Sequence, residues 1–240
     1  MSLQPPNAFD GILLVDKPTG PTSHDIVDSI RRRFKFRKVG HGGTLDPQAT
    51  GLLVILIGRG TKLSNRFMNS DKTYEGHMVL GVATDTQDSQ GTVLEESDPS
   101  AVTREMVEAE MAKFRGDVMQ TPPMVSAVKK NGVPLYKLAR KGKTVERKPR
   151  LIHVYRFDLL EFEPPRVFFR LRCTKGTYVR TICADIGENL GCGAHLAELR
   201  RTESGSSNVA EALPIEQILA MDRDALQTHI VPVTRLLGAD

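Results

Sequence analysis

A chain of 240 residues that is 40% hydrophobic and 26% charged can bury a full core and keep a well-hydrated surface, as ordinary globular proteins do. No apolar run reaches the roughly 18 residues expected of a membrane helix, and the start, "MSLQPPNAFDG", lacks the basic-then-apolar pattern of a secretory signal. The net charge of +4 is too small to name a partner, so the placement of the basic residues has to carry that question.

In chain order, "GILLVDKP" reads as a short buried strand stopped by Pro18. "TSHDIVDSIRRRF" reads as a helix with Thr22 or Ser23 as its cap, and Ile26, Ile30 and Phe34 recur on one face. A Gly-rich loop follows, and then "LLVILIG" as a second buried strand. "TYEGHMVLGVATD" alternates as a strand does, with Tyr74, Met78, Leu80 and Val82 on one face. "TREMVEAEMAKFRG" is a helix with Val107, Met111 and Phe114 inward and Gly116 as its C-cap. "RVFFRLRCTKG" alternates again, setting Val167, Phe169, Leu171 and Cys173 opposite Phe168, Arg170 and Arg172. "TYVRTICADIGENLG" is a helix, with Tyr178, Ile182, Ile186 and Leu190 spaced by four and Gly191 as its stop. The tail from Leu213 holds a weak helix. Strands and helices mix without regular βαβ alternation, which predicts an α+β fold on a mixed, mostly antiparallel sheet flanked by helices. Residues 119–150 lack periodicity and are rich in Pro, Gly and Lys, so they read as a long surface excursion.

Cys173, Cys183 and Cys192 are an odd number with no C-x-x-C pair, which predicts reduced thiols and a cytoplasmic setting. Cys192 and His195 have a ligand-like spacing, but no second pair accompanies them, so no metal is expected.

The basic residues concentrate in two places. In "RRRFKFRK", residues 31–38, six of eight are basic, beginning with Arg31, Arg32 and Arg33. Residues 129–150 hold nine basic residues, among them Lys129, Lys130, Lys137, Arg140 and Lys141, and only Glu146 is acidic. Phenylalanines interleave with the first cluster and Tyr136 with the second. Basic side chains neutralise phosphates and aromatic rings stack on unpaired bases, so this pattern suits a folded RNA gripped from two sides.

Between the clusters lies "GHGGTLDPQATG", with His41 and Asp46. Asp-Pro is a common turn element. Here, though, Gly42 and Gly43 allow close approach of a substrate, and the strand after Gly51 anchors the loop. Arg180, next to Tyr178 in "KGTYVRT", is a candidate to hold the carboxylate ionised. Ser23, His24 and Asp25 are adjacent on one helix turn and cannot form a hydrolase relay.

"GILLVDKPTGPTSHD", "KVGHGGTLDPQATGLL", "DKTYEGHMVLG" with "TDTQDSQG", "PPMVSAVKKNGVPLYKLARKG" and "CTKGTYVRTICADIGENLGCGAHLAELRRTESG" resemble, in order, the motifs of the TruB family, the tRNA pseudouridine-55 synthases. The resemblance runs from Phe9 to Gly205. It implies a pseudouridine synthase fold and isomerisation of uridine 55 in the tRNA T-loop by base flipping, with no cofactor or metal. It assigns catalysis to Asp46, Tyr178 and Arg180, the arginine pairing with the carboxylate. It assigns substrate binding to His41, Tyr74, Leu199 and Lys62. Residues 121–148 match a thumb-like insertion that closes over RNA.

On that basis residues 1–8 are expected to be a tail and residues 9–240 a catalytic domain with an RNA-binding insertion at about 119–150 and no PUA domain. The expected partner is the tRNA T-arm, without membrane or guide RNA, and the protein is expected to be a monomer. Two departures stand out. Val125 replaces the family's thumb aromatic, and Gly42 stands where Thr or Ser is commoner.

Overall fold

The computed structural model describes residues 7–126, 129–130, 132–135, 138, 142 and 145–237. The first half runs β1 (Gly11–Lys17), α1 (Ser23–Phe34), β2 (Val39–His41), β3 (Thr50–Ile57), a 3-10 turn (Gly58–Leu63), α2 (Ser64–Asn69), β4 (Lys72–Leu80), β5 (Val82–Thr84), β6 (Val93–Glu96) and α3 (Arg104–Lys113). Then come β7 (Gly116–Gln120), β8 (Lys129–Lys130), β9 (Val133–Pro134), β10 (Arg150–Glu163), β11 (Arg166–Cys173), α4 (Val179–Asn189) and β12 (Ala194–Ser204). The chain ends with β13 (Ser207–Asn208), a second 3-10 turn (Val209–Glu211), β14 (Leu213–Pro214), α5 (Ile215–Ala220), α6 (Arg223–Thr228), β15 (Val231–Pro232) and α7 (Val233–Leu237).

The chain forms two compact units. One comprises residues 1–74 and 200–240, the other residues 75–199. The first unit is built on the strand order β14–β1–β3–β12. β1 and β3 pair antiparallel from Gly11–Ile57 to Lys17–Gly51. β3 is buried at every residue from Gly51 to Ile57, which explains why it is an unbroken apolar run rather than an alternating one. β14 lies parallel to β1, and the end of β12 lies parallel to β3. Ile12, Leu14, Leu52, Val54, Leu56 and Phe67 form one core cluster. Helix α1 starts at Thr22, whose hydroxyl accepts from the Asp25 amide while the Asp25 carboxylate accepts from the Thr22 amide. Its Ile26, Val27, Ile30 and Phe34 are all 3% exposed or less, and burial of each such side chain contributes about 1.5–3 kcal/mol.

In the second unit the order is β4–β11–β10–β7. β10 pairs antiparallel with β11 and with β7, and two register shifts, at Val154/Arg156 and Leu159/Glu161, bend it. Helix α3 packs on β10 and on α4. Between them lie Val107, Met111, Phe157, Phe169, Ile182 and Ile186, all 1% exposed or less, with Phe157 and Phe169 edge-to-face at 5.5 Å.

The architecture is the expected α+β fold on a mixed, mostly antiparallel sheet. Three local expectations change. The strand expected through Val82 ends at Leu80, because Gly81 takes φ +87° and Val82 begins a separate two-stranded sheet with β6. Helix α3 is capped at Phe114, and the left-handed Gly116 opens β7 instead. The excursion at 119–150 contains the short β8–β9 pair.

Candidate active site

The loop from β2 to β3 is shaped by small residues and held by side chains distant in sequence. The Gly42 amide donates to the Val54 carbonyl at 2.8 Å. A Cβ at Gly42 would lie 2.5 Å from the Phe67 Cβ, so the loop can run this close to α2 only without a side chain there. Leu45 is 4% exposed and plugs the loop into the core. Ser23 fixes its peptide from both sides, accepting from the Leu45 amide at 2.8 Å and donating to the Leu45 carbonyl at 3.0 Å. The Ala49 amide closes a turn on the Asp46 carbonyl at 3.0 Å, and the Gly20 amide binds the Pro47 carbonyl at 2.9 Å. Asp46 itself is exposed at the tip of this braced loop.

Two buried cations hold the loop from beneath. Lys17, at the end of β1, is fully buried, and its ammonium donates to the carbonyls of Pro18 (2.8 Å), Pro47 (3.0 Å) and Ala49 (2.7 Å). Burial pulls its pKa down to about 8. The Asp46 carboxylate opposes that shift and the Arg201 guanidinium adds to it. Arg201, on β12, is 2% exposed. Its Nε donates to the Leu52 carbonyl at 2.7 Å, Nη1 to Thr44 at 3.3 Å and Nη2 to Gly43 at 3.1 Å. Burial lowers its pKa as well, and the electrostatic influence of the Tyr74 side chain counters that effect. Buried charges persist only where hydrogen bonds replace their water, and here backbone carbonyls do so. β12 comes this close because residue 51 is glycine: its φ is +95°, and a Cβ would lie 2.3 Å from the Arg201 carbonyl oxygen.

The first unit carries His41 and Asp46 on this loop and Tyr74 on β4. His41 Nδ1 accepts from the Gly43 amide at 3.3 Å. Burial is the main cause that lowers the His41 pKa, followed by the charges of Arg201 and His24. The ring is therefore neutral at physiological pH and offers Nε2 as a second hydrogen-bonding position. Lys62 lies exposed on the 3-10 turn that follows β3.

In the second unit, Tyr178 stands at the N-cap of α4 and Arg180 in its first turn. Gln120, 5% exposed at the end of β7, fixes Tyr178 by accepting from its amide at 2.8 Å and donating to its carbonyl at 3.0 Å. Arg180 is 5% exposed, pairs with Asp88 at 3.1 Å, donates to the Val125 carbonyl, and sits 6.0 Å from the Tyr178 ring centroid. Asp88 is itself held by the Thr86 hydroxyl at 2.7 Å and the Gln90 amide at 3.1 Å. Leu199 faces Gly76, where a Cβ would come within 3.2 Å of its Cδ1.

Sequence reading passed over Lys17, Arg201, Gln120 and Asp88. A lysine closing an apolar strand and the paired arginines in "LRRT" were the available signals, since a charge inside a buried strand requires partners. Cys192 and His195 each meet a backbone carbonyl, the thiol that of Gly193 at 3.4 Å and the imidazole that of Val82 at 3.0 Å.

Of the basic residues, Arg33 is committed to the fold. Its Nε donates to the Leu219 carbonyl at 2.8 Å and its Nη2 to Met221 at 2.6 Å. Arg31 pairs with Asp28 at 2.8 Å, and Arg32 reaches the Asp28 carbonyl at 3.3 Å. Both lie exposed on the last turn of α1. Lys137, Arg140 and Lys141, like Tyr136, lie outside the described residues, and Lys129 and Lys130 are described as backbone only, in β8.

Residues 31–179 match the family model described as TruB family pseudouridylate synthase (N terminal domain), and residues 180–238 match that of the tRNA pseudouridylate synthase B C-terminal domain. A protein of Opitutus terrae named tRNA pseudouridine synthase B is 52% identical over 231 residues, covering 96% of both chains. One of the same name from Syntrophotalea carbinolica is 51% identical over 230 residues, 95% of this chain and 75% of that protein. Among solved structures, one titled "Crystal Structure of a Cbf5-Nop10-Gar1 Complex" superposes with a TM-score of 0.75 at 29% identity over 95% of this chain and 61% of that chain.

Proposed function

The chain belongs to the TruB family of pseudouridylate synthases, and from that membership we propose that it isomerises uridine to pseudouridine at position 55 of the tRNA T-loop, with Asp46 as the catalytic carboxylate. The observation that carries the reading is the braced loop. The exposed Asp46 carboxylate has fixed backbone on both sides, with Lys17 binding the carbonyls of Pro47 and Ala49 and Arg201 those of Gly43 and Thr44. A reaction at a ribose C1′ inside a macromolecular substrate needs one accessible carboxylate at a fixed place.

In this reading the target uridine leaves its stack, at a cost of a few kcal/mol. Tyr74 stacks on the exposed base, and a base–aromatic contact of about 1–3 kcal/mol offsets part of that cost. The N1–C1′ bond breaks while the Asp46 carboxylate compensates the positive charge that develops at C1′. The uracil turns, and C5 bonds to C1′. Tyr178 is, or orients, the base that takes the proton lost from C5, and N1 gains a proton from solvent in its place, so atoms and charge balance without an oxidant. Arg180 has the role of keeping the carboxylate ionised, His41 holds the everted nucleotide, and Leu199 lines the base pocket. Lys62, Arg31 and Arg32 meet phosphates.

The test is tritium release from tRNA labelled with [5-³H]uridine, followed by mapping of pseudouridine, with no guide RNA present. Wild type is expected to release tritium from position 55 alone, and Asp46→Asn to release none while still binding a T-arm stem-loop. Normal turnover by Asp46→Asn, or a requirement for a guide RNA, would overturn the reading.

A further inference from the structure

A tyrosine is an unusual residue at the start of a helix. Side chains that cap a helix carry a short oxygen close to the backbone, and Tyr178 at the N-cap of α4 makes no such bond. Its backbone is extended, with φ −99° and ψ 101°. In that conformation the N–H and C=O of one residue point the same way, as they do toward a neighbouring strand. Gln120 takes the place of that strand. Its carboxamide oxygen accepts from the Tyr178 amide at 2.8 Å and its nitrogen donates to the Tyr178 carbonyl at 3.0 Å, across 58 residues of sequence. Gln120 is 5% exposed and ends β7. The chain that leaves it is tied again at the Val125 carbonyl, by Arg180 in the first turn of α4. Both backbone polar groups of Tyr178 are thereby held, which fixes the direction of its Cα–Cβ bond.

We propose that Gln120 is a positioning residue for the isomerisation: its carboxamide clamps the Tyr178 backbone so that the phenol serves the C5 proton from one place. This rests on the role given above to Tyr178. Gln120 touches no substrate atom in this scheme and acts through the tyrosine. A displacement of about 1 Å at a reacting group lowers a rate by roughly a hundredfold. A local rule set aside at a helix start, with a distant buried side chain supplying the missing bonds, is the pattern of a functional residue.

A merely structural glutamine would lose activity and folded fraction together, and would do so whether or not residue 178 carries a phenol. The experiment compares wild type, Gln120→Leu, Tyr178→Phe and the double variant. It follows single-turnover tritium release from [5-³H]uridine tRNA, affinity for that RNA, and melting temperature. Gln120→Leu is expected to lose roughly a hundredfold in rate with RNA affinity within about threefold of wild type, and to add no further loss in the Tyr178→Phe background. Multiplying effects would overturn the proposal, as would a rate loss that follows the folded fraction alone. Should Gln120→Leu fail to fold, Gln120→Asn takes its place in the same cycle with the same outcomes, since it keeps a polar group there but is one carbon too short to span both atoms. A second measurement needs no activity. With the four tyrosines labelled with ¹⁵N, the Tyr178 amide is identified by its loss in Tyr178→Phe. It should exchange with solvent faster in the Gln120 variant, and unchanged exchange would overturn the clamp. Wild type that releases no tritium, or Tyr178→Phe at full rate, would refute the functional reading beneath the proposal. A slow Tyr178→Phe beside a full-rate Gln120 variant would refute the proposal alone.

Discussion

The Lys17 ammonium lies 2.7 Å from the Ala49 carbonyl oxygen, so a residue of the first strand holds the far side of the Asp46 turn. Its three N–H donors meet three carbonyls, and the neutral amine has only two donors to offer. With a folded pKa of about 8 against an ordinary 10.5, the buried charge penalises the folded state below pH 8. Between these two values the unfolded chain keeps a proton that the folded chain has released, so this group's contribution to stability improves as pH rises. The loop meanwhile loses one of its ties. We expect the single-turnover rate to fall as pH rises through about 8 without a matching fall in melting temperature. Nuclear magnetic resonance of ¹³Cε-labelled lysine should show the Lys17 titration there, and an ordinary titration near 10.5 would remove the basis for this expectation.

Asp46→Asn should change Lys17 as well as turnover. The carboxylate raises the Lys17 pKa against the pull of burial, so removing its charge must move that titration further down. The same lysine resonance, followed in the variant, tests this directly. An unmoved or upward shift would show that the two groups do not sense each other.

Ser23→Ala removes both bonds that hold the Leu45 peptide and leaves a donor and an acceptor without their partner. Such a pair costs about 1–3 kcal/mol, and the loss should appear in chemical denaturation as a lower midpoint at unchanged slope. Turnover should fall with it, since the next residue in the chain is Asp46.

Gly42→Thr brings in the commoner family residue but sets a Cβ 2.5 Å from that of Phe67. Overpacking of this kind costs about 1–3 kcal/mol, because α2 must move. The double variant Gly42→Thr/Phe67→Ala should recover melting temperature relative to the sum of the two single losses. Plain additivity would place the strain elsewhere.

Arg33→Ala and Arg32→Ala should separate structure from RNA contact. Arg33 ties two carbonyls at the end of α5, so its loss should lower stability by roughly 1–3 kcal/mol. Arg32 should instead weaken tRNA binding and reduce the slope of affinity against salt by about one. Denaturation curves and salt titrations of the two variants decide between these patterns.

Helix α1, strand β3 and helix α4 were legible in the sequence because apolar periodicity and a cap or stop coincide at each of them. The loop with Asp46 was legible as a motif, but its bracing was not. Arg201 lies 149 residues from the Leu52 carbonyl it binds, and local pattern carries no signal across that distance. Strand β10 escaped notice because its two register shifts break the alternation on which strand reading depends. Thr22 and Ser23 were interchangeable as caps in sequence, whereas the fold gives the cap to Thr22 and sends Ser23 to the loop.

The spacing of the ties around Asp46 limits how this loop can change its length. Arg201 takes the carbonyls of 43 and 44, Ser23 that of 45, and Lys17 those of 47 and 49. A residue inserted or deleted between Thr44 and Pro47 would leave a buried cation facing empty space, whatever its side chain. The Gln48 side chain, exposed and tied among the described residues only by the Thr19 hydroxyl at 3.0 Å, can be exchanged at little cost, but the count of residues from Gly43 to Ala49 is as fixed as a coiled-coil register. Insertions acquired by descendants of this chain must therefore settle in other loops.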